Sequence, residues 1–357
     1  MPMRYVIRVV VVLFALALIA LTAGYIYLFK SSLNTFEYEE PKLIKIHRGY
    51  SYRDIVNELH KAGVIKYKAP MLFLARLMPE TYQIKPGRYY VPSGMTCSEL
   101  VLFLYSRKQD EAKIRIPDGC YGWDVAKLVG ENLDTDSASF MQAFTDPKLL
   151  KELGVDAPNF EGYLLADTYN IPWALTAEDA LRFLVGKFRQ FYNDSLRARA
   201  ERMGLTELEV LTLASIVQRE TSSKEEMPIV AGVYLNRLKK GMKLQADPTF
   251  IYAAILANDY DGNPNTPRHR ERDSPYNTYK YSGLPPGPIG NPTREAILAT
   301  LYPKKTDYLF FVATGYGGHN FSRTYEEHSR YAQLYYARRQ QVRDSLARAE
   351  KMQMKNK

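Results

Sequence analysis

Val210-Leu211-Thr212-Leu213-Ala214-Ser215-Ile216-Val217-Gln218-Arg219-Glu220-Thr221 is an apolar run that stops on a carboxylate. Thr206 and Glu209 make a capping box ahead of it, which predicts a helix starting near Glu207. Apolar side chains fill nearly every side of that helix, the composition of a buried core element rather than a surface one. Glu220 lies seven residues after Leu213, four after Ile216 and three after Val217, so it continues the same stripe. A carboxyl group in that position is expected to be partly desolvated, and desolvation raises its pKa. That is what a general acid needs near neutral pH. A helix that simply ends in polar residues would read the same way.

Around this helix the chain is expected to be mainly helical. Short amphipathic pieces cover 138–144 and 148–153, and Thr176-Ala177-Glu178-Asp179 opens a long helix running to about Met203, with Gly204 as its stop. Residues 224–240 read as another helix, closed by Gly241. Residues 258–293, rich in Asn, Pro, Gly and Tyr, form a long ordered loop, a class that is usually functional. Tyr308-Leu309-Phe310-Phe311-Val312-Ala313 reads as a buried strand, and His319-Asn320-Phe321-Ser322 follows a glycine turn.

Upstream, three units resemble one another. Leu43 to Gly49 leads into Ser51 to Leu59, Gly87 to Gly94 into Thr96 to Leu104, and Lys113 to Gly119 into Trp123 to Val129. Each reads as a short strand, a glycine turn and a helix with an acidic first turn. Together they predict a small α+β module whose strands and helices close one core.

Residues 9–29 form an unbroken uncharged run in the 357-residue chain, long enough to cross a hydrocarbon core of ~30 Å. Arg4 and Arg8 ahead of it favour a cytoplasmic N-terminus, and Lys30 narrows the contrast. The body would then lie outside the cytoplasm, with a cleaved signal sequence as the alternative. A net charge of +9 admits nucleic acid, anionic lipid or an anionic wall polymer as partners, and export argues against nucleic acid. Part of that charge crowds the C-terminal stretch, where a solvated helix accounts for it. Cys97 and Cys120 are expected to be free thiols.

The sequence lacks His-Glu-x-x-His, a cysteine pair at zinc spacing, a Walker loop and a Gly-x-Ser-x-Gly elbow, so no metal or cofactor is expected. His319 and His328 read as structural. What remains is a set of ordered segments: Glu161-Gly162-Tyr163-Leu164-Leu165-Ala166-Asp167-Thr168-Tyr169, Ala214 to Thr221, Asn236-Arg237-Leu238, Leu244 to Thr249, Ser274-Pro275-Tyr276-Asn277-Thr278-Tyr279, Gly283 to Ile289 and Gly318 to Ser322. In this order they closely resemble the MltG-type (YceG-like) endolytic murein transglycosylases. Residues 42–107 resemble the LysM-type modules that bind cell-wall glycan, with a plain spacer as the other reading.

The resemblance implies an α+β protein: cytoplasmic residues 1–8, a transmembrane helix at 9–29, a linker at 30–41, a LysM-like α+β module at 42–112 and a larger, mainly helical α+β catalytic domain at 113–331; the basic tail at 332–357 lies outside the match. The resemblance also implies a lyase that cuts MurNAc–GlcNAc β-1,4 bonds within nascent peptidoglycan strands and leaves 1,6-anhydro-MurNAc ends. The family's catalytic acid falls on Glu220. Gln245, Asp247, Tyr276, Asn277 and Tyr279 are expected to line the groove, where amides, carboxylates and phenols hydrogen-bond sugars and rings stack beneath pyranose faces. For Asp247 a helix-capping role fits as well, and the Tyr-Asn-Thr-Tyr segment could be a structural turn. Glu161 is expected to anchor a loop. The implied partners are peptidoglycan, the plasma membrane and cell-wall synthases, with no nucleic acid. The competing readings are a two-carboxylate muramidase using Asp247 as base, and a non-enzymatic glycan-binding scaffold. Two positions depart from the family's pattern: Gln218, where it often has Glu, and Asn291-Pro292-Thr293, where it often has Asn-Pro-Gly.

Overall fold

The expected capping box forms: the Glu209 N–H donates to Thr206 Oγ1 at 3.2 Å, and the Thr206 N–H donates to Glu209 Oε2 at 2.8 Å. The helix Glu207–Glu220 follows, with Val210 through Gln218 all buried. Helices Met227–Lys239, Arg294–Leu301, Asp247–Leu256 and Asp194–Arg202 pack around it. Leu211, Leu213, Ile216 and Val217 are fully enclosed. Burying each such side chain is worth about 1.5–3 kcal/mol, so this helix is the centre of the fold rather than a surface strut.

The computed structural model describes residues 3–107, 110–264 and 266–355. They are a mixture of many helices and small sheets divided into two compact units. The first comprises Met1–Lys113, Asn132–Thr135 and Asn170–Thr176; the second comprises Ile114–Glu131, Asp136–Tyr169 and Ala177–Lys357.

In the first unit, the strands Lys42–Ile46 and Gly87–Val91 pair antiparallel, with Lys42 opposite Val91 and Ile46 opposite Gly87. Alternation puts Ile44 and Ile46 on the core side, against Tyr89 and Val91. The helices Tyr52–Lys61 and Lys68–Leu74 lie between the two strands in sequence, so the order is strand, helix, helix, strand. The helix Cys97–Ser106 closes the core, opened by a Thr96–Glu99 capping box. The helix Met3–Phe29 belongs to this unit. Its residues Tyr5–Phe29 are long and apolar enough to cross a membrane.

Three expectations need correction. The third strand-turn-helix unit does not join the core of the other two: Glu111–Arg115 pairs with Thr168–Pro172, whose alternation of exposed and buried residues matches its own. The long helix expected from Thr176 to Met203 is two helices, Ala177–Phe191 and Asp194–Arg202. Asn193 takes an extended backbone, and its side chain accepts from the N–H groups of Ser195 and Leu196, starting a new helix where the old one would have continued. The strand Phe310–Ala313 is only half-buried: among the described residues it pairs only with His319–Ser322, and it packs on the helix Tyr325–Lys355. The basic tail is the continuation of that helix.

Candidate active site

Glu220 is the last residue of the central helix and is only partly exposed. Burial pushes its carboxyl up to about 7, against the pull of a hydrogen bond from Tyr234, with a smaller rise from the nearby Asp247 charge. The Tyr234 hydroxyl donates to Glu220 Oε1 at 2.5 Å. Desolvation and then the Glu220 charge hold the Tyr234 pKa well above its ordinary value, so this phenol stays a donor. Phe311 meets the Tyr234 ring edge-on at 5.8 Å, and His319 meets Phe311 edge-on at 5.3 Å. Nothing in the spacing marks Tyr234 beyond its place on the neighbouring helix, fourteen residues from Glu220.

The Asn236-Arg237 pair fixes that neighbouring helix. Asn236 Nδ2 donates to the carbonyls of Thr306 and Tyr308, while Arg237 Nε and Nη1 donate to the carbonyls of Leu309 and Leu244 at 2.6 and 2.5 Å. The buried Arg237 thus ties the helix both to the strand Phe310–Ala313 and to the approach to Asp247, and its charge opposes the rise of the Glu220 pKa. Directly after Glu220, the Thr221 hydroxyl donates to Glu226 Oε2, and Glu226 accepts from the His319 N–H at 2.8 Å and bonds His319 Nδ1 at 2.8 Å. His319 therefore has a structural partner, as expected.

The Asp247 charge is felt at Glu220, and the Glu220 charge at Tyr279. The Tyr279 hydroxyl donates to Asp247 Oδ1 at 2.5 Å, and Arg270 lies 3.6 Å from the same oxygen and over the Tyr279 ring. Asp247 opens the helix Asp247–Leu256 without capping it: the cap position is Ala246, and no side chain bonds there. Gln245 is exposed with φ of 49°, a left-handed backbone uncommon for a residue with a Cβ. Its N–H donates to the Thr278 carbonyl, and Thr278 Oγ1 accepts from the Ala246 N–H at 3.0 Å. Tyr276 is half-exposed and packs edge-on against Tyr252 at 5.0 Å, on the side where the Glu161 charge is felt.

Asn277 departs from the expected groove role. It is fully buried, its Nδ2 donates to the carbonyls of Arg270 and Arg272 at 2.8 Å each, and its Oδ1 accepts from the Tyr279 N–H. Its polar atoms are engaged in locking the turn that presents Tyr276 and Tyr279.

Glu161 is the second buried carboxyl, 3% exposed. Burial pushes it up to about 8, while the bond from the Gly122 N–H works against the shift. Oε2 accepts from that N–H at 3.0 Å, and Oε1 accepts from Asn291 Nδ2 at 2.9 Å. Asn291 also accepts, through Oδ1, from the N–H groups of Gly162 and Leu164. Gly162 has φ of 86°, and a Cβ there would meet Pro288 at 2.5 Å, which accounts for the glycine. This is the loop anchor that the sequence suggested. Cys120, beside it, is a buried free thiol, as is Cys97; burial pushes the Cys120 thiol up to about 12.

The other side of the helix end is spent on structure. Gln218 Oε1 accepts from the Thr293 N–H at 3.1 Å and from Thr293 Oγ1 at 2.6 Å. Arg219 donates to the carbonyls of Ile289 and Gly119 and lies over Tyr121. A cleft of about 600 Å³ opens there, lined by Asp118, Gly119, Lys127, Gln218 and Arg219 among others. Glu220, by contrast, feels the Asp247 charge, and its own charge is felt by Tyr279.

A family model described as the YceG-like family matches residues 44–334. The chain is 29% identical over 315 residues to the endolytic murein transglycosylase of Bacillus subtilis strain 168, covering 82% of this chain and 84% of that protein. It is 31% identical over 306 residues to the endolytic murein transglycosylase of Streptococcus pneumoniae strain R6, covering 76% of this chain and 54% of that protein, so it spans about half the length of the pneumococcal relative. The 2.6 Å crystal structure of a yceG-like protein from Listeria monocytogenes superposes with a TM-score of 0.55 at 29% identity, covering 81% of this chain and 97% of that one.

Proposed function

The chain belongs to the YceG-like family, and we propose that it does what its relatives' names describe: it is a peptidoglycan-cleaving lytic transglycosylase, a lyase. The observation that carries the assignment of the acid is Glu220 itself, a carboxyl pushed up to about 7 by burial at the end of the central helix and held by a single phenol.

The reaction needs one carboxyl group. Protonated Glu220 gives its proton to the glycosidic oxygen as the bond from that oxygen to C1 of MurNAc breaks. The carboxylate then accepts the proton of the same sugar's 6-hydroxyl while O6 bonds to C1, closing the 1,6-anhydro ring and restoring the acid. The attacking oxygen is held in the substrate, so proximity replaces a second carboxylate and its water. Tyr234 orients the acid. Gln245, Asp247, Tyr276 and Tyr279 are the residues we assign to the glycan, with Asp247 engaged by Tyr279 and Arg270 rather than poised as a base.

Cleavage within nascent strands would set their length during synthesis, and cell-wall synthases are the corresponding partners. Tyr5–Phe29 serves as a single-pass plasma-membrane anchor with the N-terminus cytoplasmic and the body outside. Residues 42–112 act as a LysM-like glycan module followed by a catalytic domain at 113–331. The strand-helix-helix-strand order and a cleft of about 750 Å³ bordered by Arg88, Tyr90, Phe103 and Arg107 support that role. Weaker retention of Tyr90→Ala on insoluble peptidoglycan tests it; unchanged retention removes this cleft from the binding surface.

The deciding experiment is end chemistry. Purified protein incubated with uncrosslinked glycan strands should release anhydro-muropeptides, and Glu220→Gln should release them at least about 10²-fold more slowly. Reducing ends, heavier by one water, would assign a hydrolase instead, and no new ends from active-folded protein would assign a scaffold.

A further inference from the structure

The helix Met3–Phe29 is built into the first unit. Leu28 is buried in that unit's core, and Tyr27 and Phe29 pack against it. The segment that follows is stitched down with little slack. Asn34 is fully buried; its Nδ2 donates to the Tyr67 carbonyl and its Oδ1 accepts from the Tyr67 N–H, both at 3.0 Å. The Lys66 N–H donates to the Asn34 carbonyl at 2.7 Å, and the Phe36 N–H donates to the Val64 carbonyl at 3.0 Å. Thr35 Oγ1 donates to the carbonyls of Ser32 and Met95 at 2.8 Å. The start of the helix Lys68–Leu74 is therefore fixed beside the residues that leave the anchor, although Tyr67 lies 33 residues from Asn34 in sequence.

On the outside of this joint stand large apolar side chains: Leu33 is 65% exposed, Phe36 43% and Tyr67 65%. Lys30 and Lys68 are exposed beside them in sequence, and the Lys66 ammonium lies 5.6 Å from the centre of the Phe36 ring. Glu37, Glu39 and Glu40 follow Phe36 within four positions and are exposed, so the lysines, and not the segment leading away from Phe36, carry the positive charge of this face.

We infer that Leu33, Phe36 and Tyr67, together with Lys30, Lys66 and Lys68, form a platform that rests in the headgroup layer of the same bilayer that the helix crosses. The inference depends on reading Tyr5–Phe29 as a membrane anchor, as proposed above. Continuity is the argument that selects lipid over another protein. The span ends at Phe29, and the backbones of Lys66 and Tyr67 are hydrogen-bonded to Asn34, five residues further on, so these residues stand beside the end of the helix, where the headgroup and acyl boundary, ~5–10 Å deep, would begin. Aromatic rings that are costly in water are at home there, and lysines extend along apolar surface toward lipid phosphates. The platform fixes how the first unit stands on the membrane, where a flexible tether would let it tumble.

The test uses full-length protein in phosphatidylethanolamine–phosphatidylglycerol vesicles, labelled with an environment-sensitive fluorophore at Tyr67→Cys or, separately, at Leu21→Cys within the span. Cys97 and Cys120 are buried and stay unlabelled in the folded protein. A lipid carrying a headgroup-level quencher should dim the probe at position 67 by about twofold, and a deep acyl-chain quencher should dim the probe at position 21. Quenching at 21 without quenching at 67 overturns the platform and leaves the anchor standing; a blue-shifted but unquenched probe at 67 gives the face to a protein partner instead. Absence of quenching at both positions overturns the anchor and the platform together. Lys66→Glu with Lys68→Glu should weaken the quenching at 67, and an unchanged value removes the lysines from the contact.

Discussion

Glu161 and Glu220 are the same residue type, both sunk into the second unit, and burial raises both carboxyls, to about 8 and about 7. Their surroundings separate them. Both oxygens of Glu161 receive a donor, from the Gly122 N–H and the Asn291 amide, and the loops carrying those donors depend on it. Glu220 receives one donor, from Tyr234, and among the described residues its second oxygen has none. A raised pKa therefore locates a buried acid, and unspent hydrogen-bonding capacity locates the one able to act on something else.

The largest effect that tests this contrast is on rate. Glu220→Gln should reduce anhydro-end formation by about 10²–10⁴-fold with an unchanged melting temperature, whereas Glu161→Gln should stay within a few-fold of the parent. A dead Glu161→Gln that still folds would reverse the roles. The pH profile comes next. Because the acid must carry its proton, activity should be flat below pH about 7 and fall about tenfold per unit above it, measured as initial rates of anhydro-end release.

Stability should fall with rising pH through both raised carboxyls, and the Glu161 share can be isolated. The folded pKa of Glu161 lies above its unfolded value, so its contribution is fully present below pH ~4.3 and is lost as pH rises toward about 8. Denaturation midpoints should decline over that window and decline less in Glu161→Gln, which mimics the neutral form. Glu161→Ala leaves the Gly122 N–H and the Asn291 amide unpaired and should cost about 1–3 kcal/mol at any pH in this range.

Much of this contrast was legible in the letters, and the reason is locality. The capping box, the apolar stripe and the carboxyl at its end all lie within one helix, so spacing alone predicts the partial desolvation that raises Glu220. The long helix over 176–203 failed at Asn193 because a side chain competing for two backbone N–H groups is invisible to periodicity. Asn277 was assigned to the groove because an amide suits a sugar, but its partners Arg270 and Arg272 are a consequence of how the loop turns. Tyr234 and Glu226 were missed because their roles rest on contacts between elements, the phenol to Glu220 and the carboxylate to Thr221 and His319. The third strand's partner was missed for the same reason: Thr168–Pro172 lies far along the chain from Glu111–Arg115.

Tyr234→Phe probes how Glu220 is held. The hydrogen bond favours the charged carboxylate, so its loss should move the alkaline limb of the rate profile upward. Losing the orienting contact should also lower kcat about tenfold, with KM little changed. A purely structural role would lower stability and leave the limb where it was.

The smallest effect comes from the contact between Gln218 and Thr293. Gln218 and Thr293 are 75 residues apart in sequence, yet they bond each other directly. Thr293 Oγ1 also accepts from the Ala296 N–H at 3.2 Å, capping the helix Arg294–Leu301. An amide oxygen at 218 and a hydroxyl at 293 therefore work as one unit that docks this helix on the central one. Thr293→Gly removes the side-chain cap, a few tenths of a kcal/mol, and the hydroxyl's bond to Gln218, and should cost about 1 kcal/mol in all. Gln218→Glu alone should be nearly neutral in stability, since a carboxylate accepts the same two bonds, but its charge near Glu220 should shift the rate profile upward. If the pair is a unit, the double mutant should depart from additivity by about 0.5–1 kcal/mol in a denaturation cycle. Strict additivity would mean that the two substitutions are independent, and that the helix end around Glu220 is held chiefly by Arg219 and its carbonyl partners on Ile289 and Gly119.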